Sequence, residues 1–246
     1  MALPGRPQPA HETFRGRHPR QFNPERLALS QGRTGLGIAT TALLAFAVLF
    51  AIVRHNRSAA ADIAITLKLQ ERQQKHPHFD RLMHAASWAG FPPQSRVLPP
   101  SYAAGLWLLG FRLEAVFQLL AWGASGVSFL VKRIMQRARP GPATPQVRVI
   151  VARIGGTSFP SGHVLNYMGV YGFLAFLAYT WLRPSAVRHI IVSAATLLIA
   201  LVGPSRIYLG HHWFTDVLAS YLLGTAYLLG LSGLYRRLRM RVTGVS

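Results

Sequence analysis

Three short segments of the chain concentrate the side chains that could act on a phosphate group. They are 132–140 (KRIMQRARP), 159–163 (FPSGH) and 205–216 (SRIYLGHHWFTD), and long apolar stretches lie between them. Together they contain cationic side chains that can hold an anion, histidines and one carboxylate. Imidazole titrates near neutrality and can serve as an acid, a base or a nucleophile. The pattern therefore predicts a histidine-based phosphate site assembled from distant parts of the chain.

The first segment offers Lys132 and Arg139 as phosphate ligands. They are seven positions apart, so they would share one face if the preceding helix continued past the membrane edge. Pro140 disfavours helix at Arg139, and we expect Arg139 on a turn, where its planar guanidinium can contact two phosphate oxygens. A basic cluster at the membrane edge is the alternative explanation, and we assign Arg133 and Arg137 to it.

The second segment places Ser161, Gly162 and His163 directly before an apolar stretch, where a helix is expected to begin. Backbone N–H groups at a helix N-terminus bind anions, and the Ser161 hydroxyl adds a further donor. His163 is a candidate general acid, because an imidazolium can protonate an alkoxide leaving group. The alternative is a turn with a helix cap and a structural histidine.

The third segment contains His212 and, four residues later, Asp216, the only acidic residue after Glu114. Four residues make about one helical turn, so Asp216 can accept the Nδ1 proton of His212 and leave Nε2 free to attack phosphorus. The alternative is an aspartate helix cap beside a structural histidine. We leave the neighbouring His211 outside the chemistry.

A zinc site is a different explanation of the same residues, because His163, His212 and Asp216 have the side chains of zinc ligands. Nearby cations disfavour it, since they repel a divalent ion and already supply the positive charge that phosphoryl transfer needs. Those cations are Lys132, Arg139 and Arg206. We therefore expect neither a metal nor another cofactor.

The composition indicates a membrane protein with an anionic partner. Half of the 246 residues are apolar and 14% are charged, against about 25% in soluble domains. There are 27 Lys and Arg against 7 Asp and Glu, a formal charge of +20. Long apolar stretches, and the lack of a basic stripe interleaved with aromatics, favour anionic lipid over nucleic acid. The absence of cysteine excludes disulfides, cysteine-ligated metals and cysteine nucleophiles.

Six segments approach the roughly 20 apolar residues that a membrane span needs. They are 35–53, 98–111, 115–131, 164–182, 190–202 and 217–234. Arginines are concentrated at both ends of the chain, and positive residues stay on the cytoplasmic side, so both termini should be cytoplasmic. This topology places the three segments together on the outer face. We predict an all-α polytopic membrane protein with six transmembrane helices and an active site at the outer membrane–water interface.

The remaining segments frame a membrane domain at 34–235. Residues 1–33 are rich in proline and arginine and are predicted to form a disordered basic cytoplasmic tail. A cleaved signal peptide is the alternative, but the lead and the apolar stretch are too long for one. Residues 54–96 are predicted as an outer loop whose amphipathic part, 59–69, lies as an interfacial helix over the site. Residues 236–246 are predicted as a second basic cytoplasmic tail.

The three segments resemble those of the type 2 phosphatidic acid phosphatase superfamily, which shares its site with vanadium haloperoxidases and glucose-6-phosphatase. The family pattern is Lys, six residues, Arg-Pro; Pro-Ser-Gly-His; then Ser-Arg, five residues, His, three residues, Asp. Every part occurs here with the same internal spacing, over about 132–220. Bulky residues around the nucleophile position, His211, Trp213 and Phe214, distinguish this chain.

The resemblance implies a metal-independent lipid phosphatase. The implied phosphate ligands are Lys132, Arg139, Ser161, Gly162 and Arg206. His163 would be the general acid, and His212 would form a phosphohistidine supported by Asp216. The implied substrate is a lipid phosphomonoester or diphosphate, such as phosphatidic acid, phosphatidylglycerol phosphate, a polyprenyl diphosphate (for example undecaprenyl diphosphate) or a lipid A phosphate.

The resemblance also implies an integral protein of the plasma (inner) membrane of a bacterium, with the lipid bilayer and a lipid phosphate as partners and no nucleic acid. Two alternatives stay open at this point. A lipid phosphotransferase would use the same phosphohistidine and pass the phosphoryl group to an acceptor other than water. A non-enzymatic lipid-binding or scrambling protein would keep the spans but has no need for His212 four residues ahead of Asp216.

Overall fold

The computed structural model describes residues 33–75, 77–150 and 154–243, and all regular secondary structure in these ranges is helical. The helices are α1 (Arg33–Arg54), α2 (Ala59–Lys75), α3 (Pro77–Trp88), α4 (Gln94–Leu108), α5 (Arg112–Trp122), α6 (Ala124–Met135), α7 (Gly162–Trp181), α8 (Ala186–Tyr208) and α9 (Phe214–Thr243). The all-α prediction is confirmed. The predicted tail 1–33 lies outside the described residues except for Arg33, and α9 continues through most of 236–246.

Within the part of the chain that the structure describes, four helical segments are long and apolar enough to cross a membrane. They are Thr34–Arg54, Arg112–Met135, Ala186–Tyr208 and Phe214–Val242, the second being α5 and α6 joined at Gly123. They coincide with the first, third, fifth and sixth predicted spans, which supports an integral membrane protein.

The other two predicted spans, 98–111 and 164–182, correspond to the helices α4 and α7. With 15 residues, α4 is too short for that criterion, and α7 includes the polar residues His163 and Asn166. The six-span arrangement therefore stays a prediction. Prolines are expected at the start of a helix, but Pro99 and Pro100, at the start of the predicted span 98–111, lie inside α4, which begins four residues earlier at Gln94.

The central helix is α7, which packs against α5, α6, α8 and α9. Buried side chains occur on every side of it, as expected for a helix that other helices surround. At Gly169 a Cβ atom would lie 2.1 Å from the carbonyl oxygen of Ala121, so this approach of α5 to α7 requires glycine. Close packing thus fixes the position of α7 relative to its neighbours.

The helices α2 and α3 lie across one end of this bundle, where α8 ends and α9 begins. The Ser205 hydroxyl donates to the carbonyl oxygen of Met83 at 2.6 Å, and the Tyr208 hydroxyl donates to Oδ1 of Asp80 at 2.8 Å. These hydrogen bonds tie α3 to the last turn of α8. The segment predicted as a helix over the site, 59–69, lies within α2.

Candidate active site

The three sequence segments meet at the bundle end that α2 and α3 cover. The helix α6 ends there, α7 begins, α8 ends and α9 begins, because successive helices run in opposite directions. The structure brings together all eight predicted site residues: Lys132, Arg139, Ser161, Gly162, His163, Arg206, His212 and Asp216. Two helix N-termini and three cationic side chains make the electrostatic environment strongly favourable for an anion.

His212 and Asp216 are both buried, with 2% and 0% of their side chains exposed, and Nδ1 of His212 lies 3.5 Å from Oδ2 of Asp216. This distance is longer than a good hydrogen bond. Oδ2 instead accepts the backbone N–H of Trp213 at 2.9 Å. The spacing suggested that His212 and Asp216 lie one turn apart on a helix. They do not, because α9 begins at Phe214, after His212. They approach each other because the chain turns into α9.

Arg139 contacts the other nitrogen of the same imidazole. Its Nη1 atom lies 3.0 Å from Nε2 of His212 and donates to the carbonyl oxygen of His211 at 2.6 Å. Burial, with the positive charges of Arg139 and Arg206, holds the pKa of His212 well below its ordinary value of 6.5. Burial also lowers the pKa of Arg139, although the carboxylate of Asp216 opposes this change. His212 is therefore expected as a neutral imidazole, the form that can attack phosphorus.

Lys132 and Arg139 reach the site from different backbone environments. The helix α6 ends at Met135, and Gln136 follows in the left-handed conformation with φ 46°. Arg139 thus lies beyond the helix, as Pro140 indicated, and does not share a helical face with Lys132. The ammonium group of Lys132 donates to the carbonyl oxygen of Thr157 at 2.7 Å.

Arg206 is completely buried at the end of α8. Its Nη1 donates to the Ser87 hydroxyl at 2.6 Å, its Nη2 contacts Nδ1 of His211, and its guanidinium lies 4.8 Å from the ring centroid of Phe91. His211, which the sequence analysis left outside the chemistry, therefore helps to hold a predicted phosphate ligand. No signal in the sequence indicates this contact of His211, because nothing local distinguishes the roles of two adjacent histidines.

Several buried polar atoms around His212 have no hydrogen-bond partner among the described residues. Ser161 precedes α7 and donates its backbone N–H to the Ser220 hydroxyl at 2.7 Å, while its own hydroxyl oxygen has no partner. The same is true of Nε2 of His163 and of Nε in both Arg139 and Arg206. Buried polar groups are nearly always satisfied. Such a cluster is expected where a polar ligand binds.

Arg137 belongs to the site, and its assignment to a basic membrane edge was wrong. It donates to Oδ1 of Asp216 and to Oδ2 of Asp62, both at 2.6 Å. Asp62, on α2, is 1% exposed and also accepts the backbone N–H of Thr215 at 2.9 Å. Nothing local distinguishes Arg137 from Arg133, because its two carboxylate partners lie 75 and 79 residues away.

The connection between α3 and α4 closes over His163. The ring of Phe91 meets the His163 ring edge-on, with centroids 4.9 Å apart. A Cβ atom at Gly90 would lie 2.2 Å from Cδ2 of His163, so no larger residue can occupy this position without moving the imidazole. Outside this turn lies a cavity of about 580 Å³, lined by His84, Ala85, Trp88 and Phe91.

Comparison with known proteins agrees with this site. The family model described as the PAP2 superfamily matches residues 113–240. Over 184 residues the chain is 29% identical to phosphatidylglycerophosphatase B of Bacillus subtilis (strain 168), covering 74% of this chain and 86% of that protein. It is also similar to the crystal structure of a transmembrane PAP2-type phosphatidylglycerolphosphate phosphatase from Bacillus subtilis. The TM-score is 0.67 at 26% identity, over 80% of this chain and 94% of the other.

Proposed function

Because the chain belongs to the PAP2 superfamily and is an integral membrane lipid phosphatase of a bacterium, we propose that it hydrolyses phosphatidylglycerol phosphate through a phosphohistidine on His212. The substrate is inferred from the names of the two similar proteins. The mechanism rests on one observation above all. Nε2 of a buried His212 faces the guanidinium of Arg139 while Asp216 lies behind Nδ1.

In the first half-reaction, the phosphate is held by cations, a hydroxyl group and a helix N-terminus. The proposed ligands are Lys132, Arg139, Arg206, the hydroxyl of Ser161 and the backbone N–H of Gly162. Nε2 of His212 attacks phosphorus, and the bond from phosphorus to the glycerol oxygen breaks. The released electron pair stays on that oxygen, which takes a proton from His163. The bound phosphate anion offsets the neighbouring cations and so favours the protonated form of this imidazole in the complex. Asp216 stabilises the positive charge that develops on His212.

In the second half-reaction, water replaces the lipid. The now neutral His163 accepts a proton from a water molecule as its oxygen attacks the phosphohistidine. The phosphorus–nitrogen bond breaks, its electron pair returns to Nε2 of His212, and inorganic phosphate leaves. His163 is again protonated, so protons and charges balance over the cycle.

We further propose that the site faces the outer side of the membrane and that both termini are cytoplasmic. The arginine-rich ends of the chain support this orientation through the positive-inside rule. A lipid could then place its phosphate at the covered bundle end while its acyl chains remain between apolar helices. The predicted domain at 34–235 would provide the whole site.

Two earlier alternatives gain no support. The chain matches the PAP2 superfamily and is similar to a phosphatidylglycerophosphatase, which argues against a scrambling protein without enzymatic activity. Zinc at His212 would have to displace the guanidinium of Arg139, a cation that already contacts Nε2. A phosphotransferase differs only in the acceptor of the second step, and the experiment below distinguishes it.

The test is phosphate release by the purified full chain in detergent with excess chelator. The substrates are phosphatidylglycerol phosphate, phosphatidic acid and undecaprenyl diphosphate, each with wild type, His212→Ala and His189→Ala. His189 is an exposed histidine on α8 and serves as the matched control. We expect release with wild type and His189→Ala and none with His212→Ala. A normal rate in His212→Ala contradicts the phosphohistidine. Consumption of the lipid phosphate only after an alcohol acceptor is added, with a phosphorylated alcohol formed instead of inorganic phosphate, indicates phosphotransfer.

A further inference from the structure

The segment between α1 and α4 contributes a carboxylate to the interior of the site. Asp62 lies in the first turn of α2, far in sequence from the three segments that carry the family pattern. It is 1% exposed, and both of its oxygens are used. Oδ1 accepts the backbone N–H of Thr215 at 2.9 Å, and Oδ2 accepts the Thr215 hydroxyl at 2.8 Å and Nη2 of Arg137 at 2.6 Å.

Arg137 connects this carboxylate to the one behind the nucleophile. Its Nη1 donates to Oδ1 of Asp216 at 2.6 Å while its Nη2 contacts Asp62, so one guanidinium bridges two buried carboxylates. Its side chain is 14% exposed, and its guanidinium lies 5.8 Å from the ring centroid of Trp213. Shielded from water, these charges interact more strongly than they would at the surface.

We propose that Asp62 and Arg137 are positioning residues for the reaction. Arg137 holds Asp216 in place and balances its charge behind His212, and Asp62 holds Arg137. The proposal rests on the proposed function, in which His212 is the nucleophile. Neither residue is assigned a contact with the phosphate. Their effect passes through Asp216, whose Oδ2 remains 3.5 Å from Nδ1 of His212. The helix α2 therefore contributes a functional side chain, Asp62, to the site in addition to covering it.

The proposal makes a prediction about charge that a purely structural role does not. His212 is surrounded by Asp216 from α9, Arg206 from α8, Lys132 from α6, Arg139 from the following loop, and His211. His163, from α7, also interacts electrostatically with His212. Against this background Asp62 offsets the charge of Arg137. Neutralising Asp62 leaves that positive charge uncompensated and disfavours protonated His212, whereas removing Arg137 leaves Asp216 unbalanced and favours it.

When kcat/KM is plotted against pH, the fall on the acidic side, here called the acidic limb, reports protonation of His212. The two single variants should therefore shift the pH of this acidic limb in opposite directions. In Asp62→Asn, His212 stays neutral to lower pH and the limb moves down. In Arg137→Gln the limb moves up, by about one pH unit or less. The double variant removes one charge of each sign and should return towards wild type. We expect kcat to fall about tenfold or more in each single variant, with KM within about threefold of wild type, because neither side chain binds the phosphate.

The experiment measures kcat and KM from about pH 4 to pH 9 with phosphatidylglycerol phosphate in detergent micelles. The same substrate is used throughout, so its own ionisation cancels when the variants are compared. Asp80→Asn is the matched control, since Asp80 is also an acid of the outer segment but contacts Tyr208 instead. Its limb should coincide with that of wild type. Gel filtration in detergent confirms that each variant is folded.

Shifts of both single variants in the same direction, no shift in either, or a rise in KM at constant kcat would each overturn the proposal. If Asp62→Asn does not fold, Arg137→Lys decides the question. It keeps the charge but not the two-pronged geometry, so its limb should stay at the wild-type position while that of Arg137→Gln moves. A His212→Ala arm separates the two levels of inference. Full turnover in that variant refutes the proposed function, whereas lost turnover with unshifted limbs refutes only the role of Asp62 and Arg137.

Discussion

Nη1 of Arg139 lies 3.0 Å from Nε2 of His212, so the cation proposed to hold the phosphate also contacts the nitrogen proposed to attack it. A guanidinium can only donate hydrogen bonds. Nε2 must therefore accept through its lone pair in this contact, which places the imidazole proton on Nδ1, facing Asp216. A phosphoryl group entering the site would take over the donor from Arg139 and meet a nucleophile already in the correct tautomer.

This relationship predicts that lysine cannot replace Arg139. In Arg139→Lys the charge remains, but a single ammonium group cannot contact the His211 carbonyl, His212 and a phosphate oxygen from the same plane. We expect kcat/KM for phosphatidylglycerol phosphate to fall roughly 10- to 100-fold, as for the loss of one charge-assisted hydrogen bond. Arg133→Lys is the control, because Arg133 is exposed on α6. Equal effects of the two substitutions would contradict the prediction.

Asp216→Asn should damage catalysis much more than binding. The amide keeps the shape of the carboxylate but no longer stabilises a charged imidazolium. We expect kcat to fall about 10²- to 10⁴-fold with KM changed only a few-fold. Steady-state kinetics on the folded variant provides the measurement. A rise in KM as large as the fall in kcat would show instead that Asp216 mainly shapes the phosphate site.

The depressed pKa of His212 predicts that activity persists in mild acid. Burial and the neighbouring cations hold this pKa well below 6.5, so the imidazole stays neutral and nucleophilic as the pH falls through that value. The enzyme-dependent acidic limb of kcat/KM should therefore lie below pH 6.5. Two lipid phosphates with different phosphate pKa values identify it, since only the enzyme's limb keeps its position. A common limb at or above pH 6.5 is the opposite result.

Gly90→Ala should impair the reaction without unfolding the protein. The new methyl group would lie 2.2 Å from Cδ2 of His163 and must displace the imidazole or the turn that covers it. We expect kcat to fall about tenfold or more, because proton transfer depends strongly on the position of the acid. Gly105→Ala in α4 is the matched control, since nothing lies within 4 Å of its Cβ position. Wild-type kcat in Gly90→Ala would remove His163 from the proposed role.

The sequence by itself determined the family pattern and the helix ends that border the candidate site. The start of α7 immediately after Ser161 follows from a small polar residue before an apolar stretch, and Arg139 lies beyond a helix end as Pro140 predicts. Four of the six predicted spans recur as long apolar helices. These features depend on short-range backbone preferences and on apolar length, which neighbouring residues are sufficient to specify.

Only the tertiary structure decided which other side chains complete the site. Arg137 resembles Arg133 in the sequence, and Asp62 is one of 7 acidic residues with no pattern around it. Both acquire their role from contacts between residues 75 to 153 positions apart, made where α2 packs across the end of α9. The charge of a side chain can be read from the sequence. In a buried site water no longer solvates that charge, so another side chain must balance it. Which side chain does so depends on how the helices pack.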